Sequence, residues 1–218
     1  MAIISPALEG ICSSGGCVSR DRAATLAFLY ATAFQLQIEL WDATQAKYGF
    51  STGDLLFNTI GATYMLAQHH NPGLASFKPT ISYWPTDAMD ACRNDASKCG
   101  ELRGTLDYAG QTYWISTDVD ALLPEKMKRA WPGILRFSVG HSITDWIVAE
   151  GTTGCPPGSI QCVRRAQRKI VLSLDLDAEK LPGNHPVWRR IKHELSYIRF
   201  PAPAIILTPD VRVEGWYR

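Results

Sequence analysis

The sequence predicts an α+β fold, with an apolar helical hairpin at the N-terminal side packed with a small antiparallel β-sheet from the C-terminal half. Three observations carry this expectation. Residues 21–42 form an apolar run without Gly or Pro. A second apolar run begins just after Ser51. Beyond residue 105 the apolar residues recur at every second position, the period of a strand. Hydrophobic residues make up 46% of the chain and charged residues 20%, which excludes a disordered polyelectrolyte. With 218 residues the chain can bury a sizeable core, and we expect one α+β domain, helical over about 20–104 and strand-rich over about 105–218.

Residues 1–20 read as a loop closed by Cys12 and Cys17. The first helix, over 21–42, has an apolar core from Ala23 to Phe34, followed by Gln35, Gln37 and Glu39. That core is shorter than the roughly 20 residues that cross a bilayer, so a buried helix or one at a membrane interface is expected. Gly49 is a helix-stop candidate. Ser51-Thr-Gly-Asp54, just ahead of Leu55-Leu56-Phe57, has the form of a capping box and opens a second helix running to about Gln68. Residues 71–104 are rich in Pro, Asn, Asp and Gly and read as a long ordered loop with one short helical turn around Asp87–Cys92. Three alternating segments follow. Tyr113, Ile115, Thr117 and Val119 oppose Trp114, Ser116 and Asp118. Leu135, Phe137 and Val139 oppose Arg136 and Ser138. Ile170, Leu172, Leu174 and Leu176 oppose Val171, Ser173, Asp175 and Asp177. An amphipathic helix over about Pro186–Ile198 and two short strands, AIIL and VRVEGWY joined through Thr-Pro-Asp, follow.

The six cysteines fall into three close pairs in polar loops, Cys12/Cys17, Cys92/Cys99 and Cys155/Cys162. Short-loop disulfides in an oxidising compartment are the natural reading, because no CxxC spacing and no His falls in these loops to favour zinc. Export to an oxidising compartment is therefore expected. MAIISPALEGICSSGG has neither a basic segment nor a continuous apolar one, and ALEGIC is a poor lipoprotein cleavage box, so we expect the true start upstream of Met1. A formal net charge of +1 gives no steering toward nucleic acid, and the absence of GxGxxG and P-loop patterns leaves a nucleotide without support. The basic runs at 126–129, 164–169 and 189–192 read as solvated faces or as contacts with anionic lipid head groups. Membrane or envelope lipid is the expected partner, and protein partners are not indicated.

Two constellations could carry chemistry. Glu39 and Asp42 share a face near a helix C-terminus, where the macrodipole disfavours negative charge. Asp54 and Asn58 share a face of the next helix with Gly61. A cation, a ligand donor or a buried hydrogen-bond network between the helices accounts for all four, and so does local capping with pairing to Lys47 or Arg22. No resident cofactor is expected; a divalent cation at this acidic corner, Mg²⁺ or Ca²⁺ in preference to zinc, is the one candidate. The second constellation is Asp107, Tyr108, Gln111, Tyr113 and Trp114, around the turn residue Gly110. It suits a carbohydrate or lipid head-group platform, or a strand entering a core. His69 and His70 end a helix, where a cationic ring is welcome, and His141, His185 and His193 are scattered. HExxH and GxSxG are absent.

IELWDATQAKYGFSTGDLLFNTIGA resembles the core of an uncharacterised bacterial family of predicted periplasmic lipoproteins. The shared pattern is acid-x-x-Asp followed by Gly-Phe-Ser-x-x-Asp-Leu-x-x-Asn-x-x-Gly. The helical part is also distantly similar to VanZ-like membrane proteins. DYAGQTYWIS, WPGILRFSVGHS, RKIVLSLDLD and IRFPAPAI resemble later segments of larger members. The resemblance implies a bacterial periplasmic or cell-envelope address with membrane association, and no particular activity. Members carry a further helix ahead of the first one, often His-bearing, and the three cysteine pairs depart from the family pattern.

Three functions stay open on these residues, and enzyme or non-enzyme is undecided among them. The first is a non-enzymatic, membrane-associated envelope protein with a structural or ligand-binding polar centre between two helices. The second is an envelope enzyme acting on a lipid-linked or glycan substrate through Glu39, Asp42 and Asp54. The third has the back-half strands paired into a membrane-inserted sheet with Trp114, Trp131, Trp146, Trp216 and Tyr217 as its aromatic girdle, which requires Arg136 and Asp175 to face inward.

Overall fold

The computed structural model describes residues 19–45, 49–99, 107–149, 151, 155–157 and 162–217. The chain divides into two compact units, Met1–Ala75 and Ser76–Arg218. The architecture is α+β, with a helical pair in the first unit and a six-stranded antiparallel sheet in the second.

In the first unit, α1 (Arg20–Asp42) and α2 (Thr52–His70) run antiparallel. Ser19 caps α1 by accepting from the Arg22 N–H, and Ser51 caps α2 by accepting from the Asp54 N–H at 3.2 Å. Gly49 sits at φ 84°, the left-handed region expected of a residue leaving a helix, and its N–H reaches the Asp42 carbonyl. The buried positions of α1 are Ala23, Ala24, Ala27 and Glu39, and α2 has none. Leu29, Tyr30, Phe34, Trp41, Leu56 and Phe57 are exposed. The buried apolar positions of α1 are thus its small residues, while the large apolar side chains of both helices are left exposed. No helix among the described residues is long and apolar enough to cross a membrane.

In the second unit the strands β1 (Phe77–Tyr83), β2 (Gln111–Thr117), β3 (Leu135–Ile143), β6 (Arg168–Leu176), β7 (Ala202–Thr208) and β8 (Arg212–Tyr217) form an antiparallel meander in that order. β4 (Ile147–Val148) and β5 (Cys162–Val163) make a separate two-stranded ribbon. The helix α3 (Asp87–Asn94) lies between β1 and β2, short helices α4 (Val119–Leu122) and α5 (Glu125–Lys128) precede β3, and α6 (Pro186–Leu195) precedes β7. After α6 the chain returns to the free edge of β1, where the Ile81 N–H donates to Tyr197 and the Arg199 N–H donates to Ile81. An otherwise unpaired edge is thus covered.

One expectation is corrected here. Residues 71–104, read as a loop with one helical turn around Asp87–Cys92, do hold that turn as α3, but they also contain β1, so strand structure begins near residue 77 and not after 105. FKPTISY does alternate, but Lys78, Thr80 and Ser82 occupy its inward positions and Pro79 its middle, a composition that imitates a loop. Disulfides join Cys92 to Cys99 and Cys155 to Cys162, as the spacing implied. Cys12 and Cys17 lie outside the described residues.

The outer face of the sheet is apolar and exposed, while its enclosed face combines an apolar cluster, Trp114, Val171, Ala204, Ile206 and Tyr217, with a row of polar residues. In register across the six strands, Pro79, Ile115, Val139, Leu172, Ile205 and Val213 form one row on the outer face. Ile115, Val139, Ile205 and Val213 are 50%, 43%, 43% and 76% exposed. The neighbouring row, Lys78, Ser116, Ser138, Ser173 and Ala204, is buried throughout. Polar residues at buried positions are uncommon unless they satisfy one another, and here they do. Ser116 Oγ shares hydrogen bonds with Ser138 at 2.8 Å and Thr80 at 3.0 Å, and donates to Asp175 at 2.8 Å.

Candidate functional site

The acidic corner resolves into helix-joining bonds. The Glu39 carboxylate is 5% exposed and accepts the Ser51 backbone N–H at 3.0 Å. In a capping box that N–H would go to the residue three positions into the helix; here the preceding helix supplies the carboxylate instead. This gives a reason for an acid near the C-terminus of α1. Asn58 Nδ2 donates to Gln35 Oε1 at 3.0 Å, Asp54 is exposed, and Asp42 is half-buried. Lys47, named as a pairing alternative, lies outside the described residues.

The second constellation separates into an inner and an outer set. Asp107 is 3% exposed and accepts from the Thr86 N–H at 3.0 Å, the Thr86 hydroxyl at 2.8 Å and the Tyr83 hydroxyl at 3.1 Å. It therefore ties the N-cap of α3 to the end of β1. Gly110 is obligatory beside it, since a Cβ there would sit 2.4 Å from the Trp84 carbonyl. Trp114 is 2% exposed, with its indole N–H on Ser82 Oγ at 3.0 Å, the Arg199 guanidinium 3.7 Å above its ring and the Tyr217 ring edge-on at 5.6 Å. Its face lies on Gly140 of the next strand, where a Cβ would come within 2.5 Å of the ring. Tyr108 and Tyr113 are half exposed, and Tyr113 donates to Gln111 at 2.6 Å.

Beyond Arg136 and Asp175, which the membrane-sheet reading required to face inward, sequence reasoning missed the charges gathered inside and at one end of the sheet. Arg136 and Asp177 pair at 2.6 Å with side chains 6% and 2% exposed. Arg199 donates to Ser173 Oγ and the Leu174 carbonyl. At the same end Glu179 accepts from Lys78 at 2.6 Å, lies 3.0 Å from His193 Nδ1 and receives the Ser196 hydroxyl at 3.2 Å. Lys78 also donates to Ser196, which is 4% exposed. Ser196 donates to an acid and to the His193 carbonyl, so it is committed to holding this end together and not set up as a nucleophile.

The Glu179 carboxyl is held well below its ordinary value near 4.5, chiefly by the His193 hydrogen bond and next by Lys78, against an opposing effect of burial. A depressed folded-state pKa adds stability that is present above the unfolded value and lost as pH falls below it. Because Glu179 is 43% exposed, solvent screening keeps the contribution to about 1–2 kcal/mol. Chemical denaturation at stepped pH should thus show Glu179→Gln less stable than the wild type at pH 7, with the difference narrowing as pH drops below about 4.5.

The opposite end of the sheet is basic. A cavity of about 480 Å³ is lined there by Asp145, Arg164, Arg165, Lys169 and Arg212 among others. Burial pushes the Asp145 carboxyl up although Lys169 and Arg164 oppose it. Trp84, Tyr108 and Trp216, all exposed, belong to the same unit.

Among the described residues, one group of three potential metal ligands converges, and it is none of the acids singled out above. Asp21, His69 and His70 place one ligand atom each within 4.8 Å of one another.

Residues 3–69 match the model of a family described as predicted periplasmic lipoprotein (DUF2279). The match covers the helical hairpin and stops ahead of the sheet. No curated protein and no solved structure matches the chain. The similarity supports a periplasmic or envelope address, in accord with two disulfides.

Proposed function

We propose that this chain, similar over its helical part to predicted periplasmic lipoproteins, is a structural cell-envelope protein that holds its six-stranded sheet in lipid by its outward apolar face, with the charged and hydroxyl-bearing side chains kept on the enclosed one. One observation carries the reading: the in-register row Pro79, Ile115, Val139, Leu172, Ile205, Val213 faces out while Lys78, Ser116, Ser138 and Ser173 face in. Strands in water bury their apolar face, whereas strands in a bilayer alternate apolar-out and polar-in. Arg136 and Asp175, which must face inward for such a sheet, are 5% and 3% exposed. The longest strands, β3 and β6, have nine residues each. At about 3.3 Å per residue they reach roughly 30 Å, the thickness of a hydrocarbon core before tilt. The other strands have six or seven residues, so the shorter side of the sheet sits shallower. The basic end supplies cations at head-group level. The outward apolar side chains of α1 and α2 fit a helical pair at a lipid interface.

The full chain, purified in mild detergent, would be mixed with phosphatidylethanolamine–phosphatidylglycerol vesicles carrying brominated acyl chains and floated on a gradient. Co-flotation with quenching of tryptophan fluorescence is the expected result. A monomer or dimer that stays soluble without detergent and leaves the vesicles unbound would overturn the reading, since the apolar face would then be covered by protein.

A further inference from the structure

The first turn of α1 and the last turn of α2 meet at the open end of the hairpin, away from the Glu39–Ser51 junction. Asp21 lies in that first turn and His69 and His70 close the second helix. His69 Nε2 is 2.9 Å from Asp21 Oδ1, and the two imidazole rings are edge-on at 5.1 Å between centroids. Adjacent residues on a helix point about 100° apart, so two neighbouring imidazoles reach one point only at a helix end, where the second can swing back. Here both offer nitrogen to the space beside a carboxylate supplied from 48 residues away.

We propose that Asp21, His69 and His70 form a divalent transition-metal site that clasps the two ends of the hairpin. The donor set decides the class of ion. Two imidazoles and one carboxylate suit Zn²⁺, Ni²⁺ or Cu²⁺, while Mg²⁺ and Ca²⁺ want all-oxygen shells. Around Zn²⁺ with bonds of about 2.0–2.1 Å, tetrahedral ligand atoms stand roughly 3.3 Å apart. The three atoms already lie within 4.8 Å of one another and Asp21 and His70 are exposed, so an ion entering there replaces the Asp21–His69 hydrogen bond. Three protein ligands leave a fourth position for water. The carbonyl end of α2 adds a favourable field for a cation. The site is independent of whether the sheet enters lipid, because all three ligands belong to the helical unit.

Zinc sulfate titrated into the full chain, after dialysis against a chelator, should bind with one saturable high-affinity site per chain in calorimetry and raise the melting temperature reversibly. Asp21→Asn and His70→Ala should each weaken zinc binding at least about tenfold, with unchanged circular dichroism, given that outer-ligand losses alone reach this range. X-ray absorption of the zinc-loaded protein should show nitrogen and oxygen neighbours with imidazole scattering and no sulfur. Zinc binding equal in wild type and a His69→Ala/His70→Ala double variant, or no saturable binding below about 100 μM, would overturn the site; the fluorescence of the vesicle-bound sheet would be unaffected in either case.

Discussion

Val139→Arg is expected to weaken insertion of the sheet into vesicles by about 2–4 kcal/mol, a loss of roughly 30- to 1,000-fold in the partition coefficient. Val139 is central to β3 and lies in the middle of the outward row, between Ile115 on one side and Leu172 on the other. If that face met water, a 43% exposed valine would tolerate arginine to within about 0.5 kcal/mol. The two environments therefore give answers that differ severalfold in free energy for one substitution. Val211→Arg is the matched control, since Val211 is 76% exposed in the turn between β7 and β8 and off the row. Folding into vesicles from urea, followed by tryptophan fluorescence, measures both. Equal midpoints for the two variants would mean that lipid does not cover the face.

Much of this was legible in the chain. Period-two segments announced β2, β3 and β6 with the residues inside each strand correctly sorted, because alternation records which side a side chain takes; Asp118, Val119 and Asp177, read as continuing the alternation, lie past the strand ends. Which side faces the interior is not recorded, and the apolar side is the natural first assignment for a soluble core. Arg136 and Asp175, sitting opposite each other in the register, were the clue that the buried side carries the polar row. β1 was obscured because Lys78, Thr80 and Ser82 fill its inward positions. At the hairpin, Glu39 was visible as an acid in an unfavourable place, but its partner is a backbone N–H, which no sequence pattern displays. Asp21 and the histidine pair were invisible together for a different reason. Their separation along the chain is fixed by helix lengths and a connection, and only an antiparallel pairing brings the ends into contact. Adjacent histidines at a helix end already had a sufficient explanation in the macrodipole.

The sharpest internal dependence is on the Arg136–Asp177 pair. Asp177→Ala should destabilise the sheet by about 3–5 kcal/mol, because it leaves a guanidinium buried without its counter-charge. Asp177 has a second task that raises the loss: its other oxygen accepts the Glu179 N–H at 3.0 Å and so shapes the turn that presents Glu179 to Lys78. Arg136 Nε has no protein partner among the described residues, and the acid left near the guanidinium is Asp175, opposite it in the register. Removing both charges tests whether the pair stabilises or merely tolerates burial. An Arg136→Met, Asp177→Asn double variant keeps the turn acceptor and most of the volume, and it should recover at least half of what Asp177→Ala loses. Guanidinium-induced unfolding followed by circular dichroism gives the comparison. A double variant no more stable than the single would place the energy in the turn and not in the ion pair. Recovery would instead mean that the sheet interior accepts a neutral filling, and that its charges specify how β3 and the segment after β6 meet.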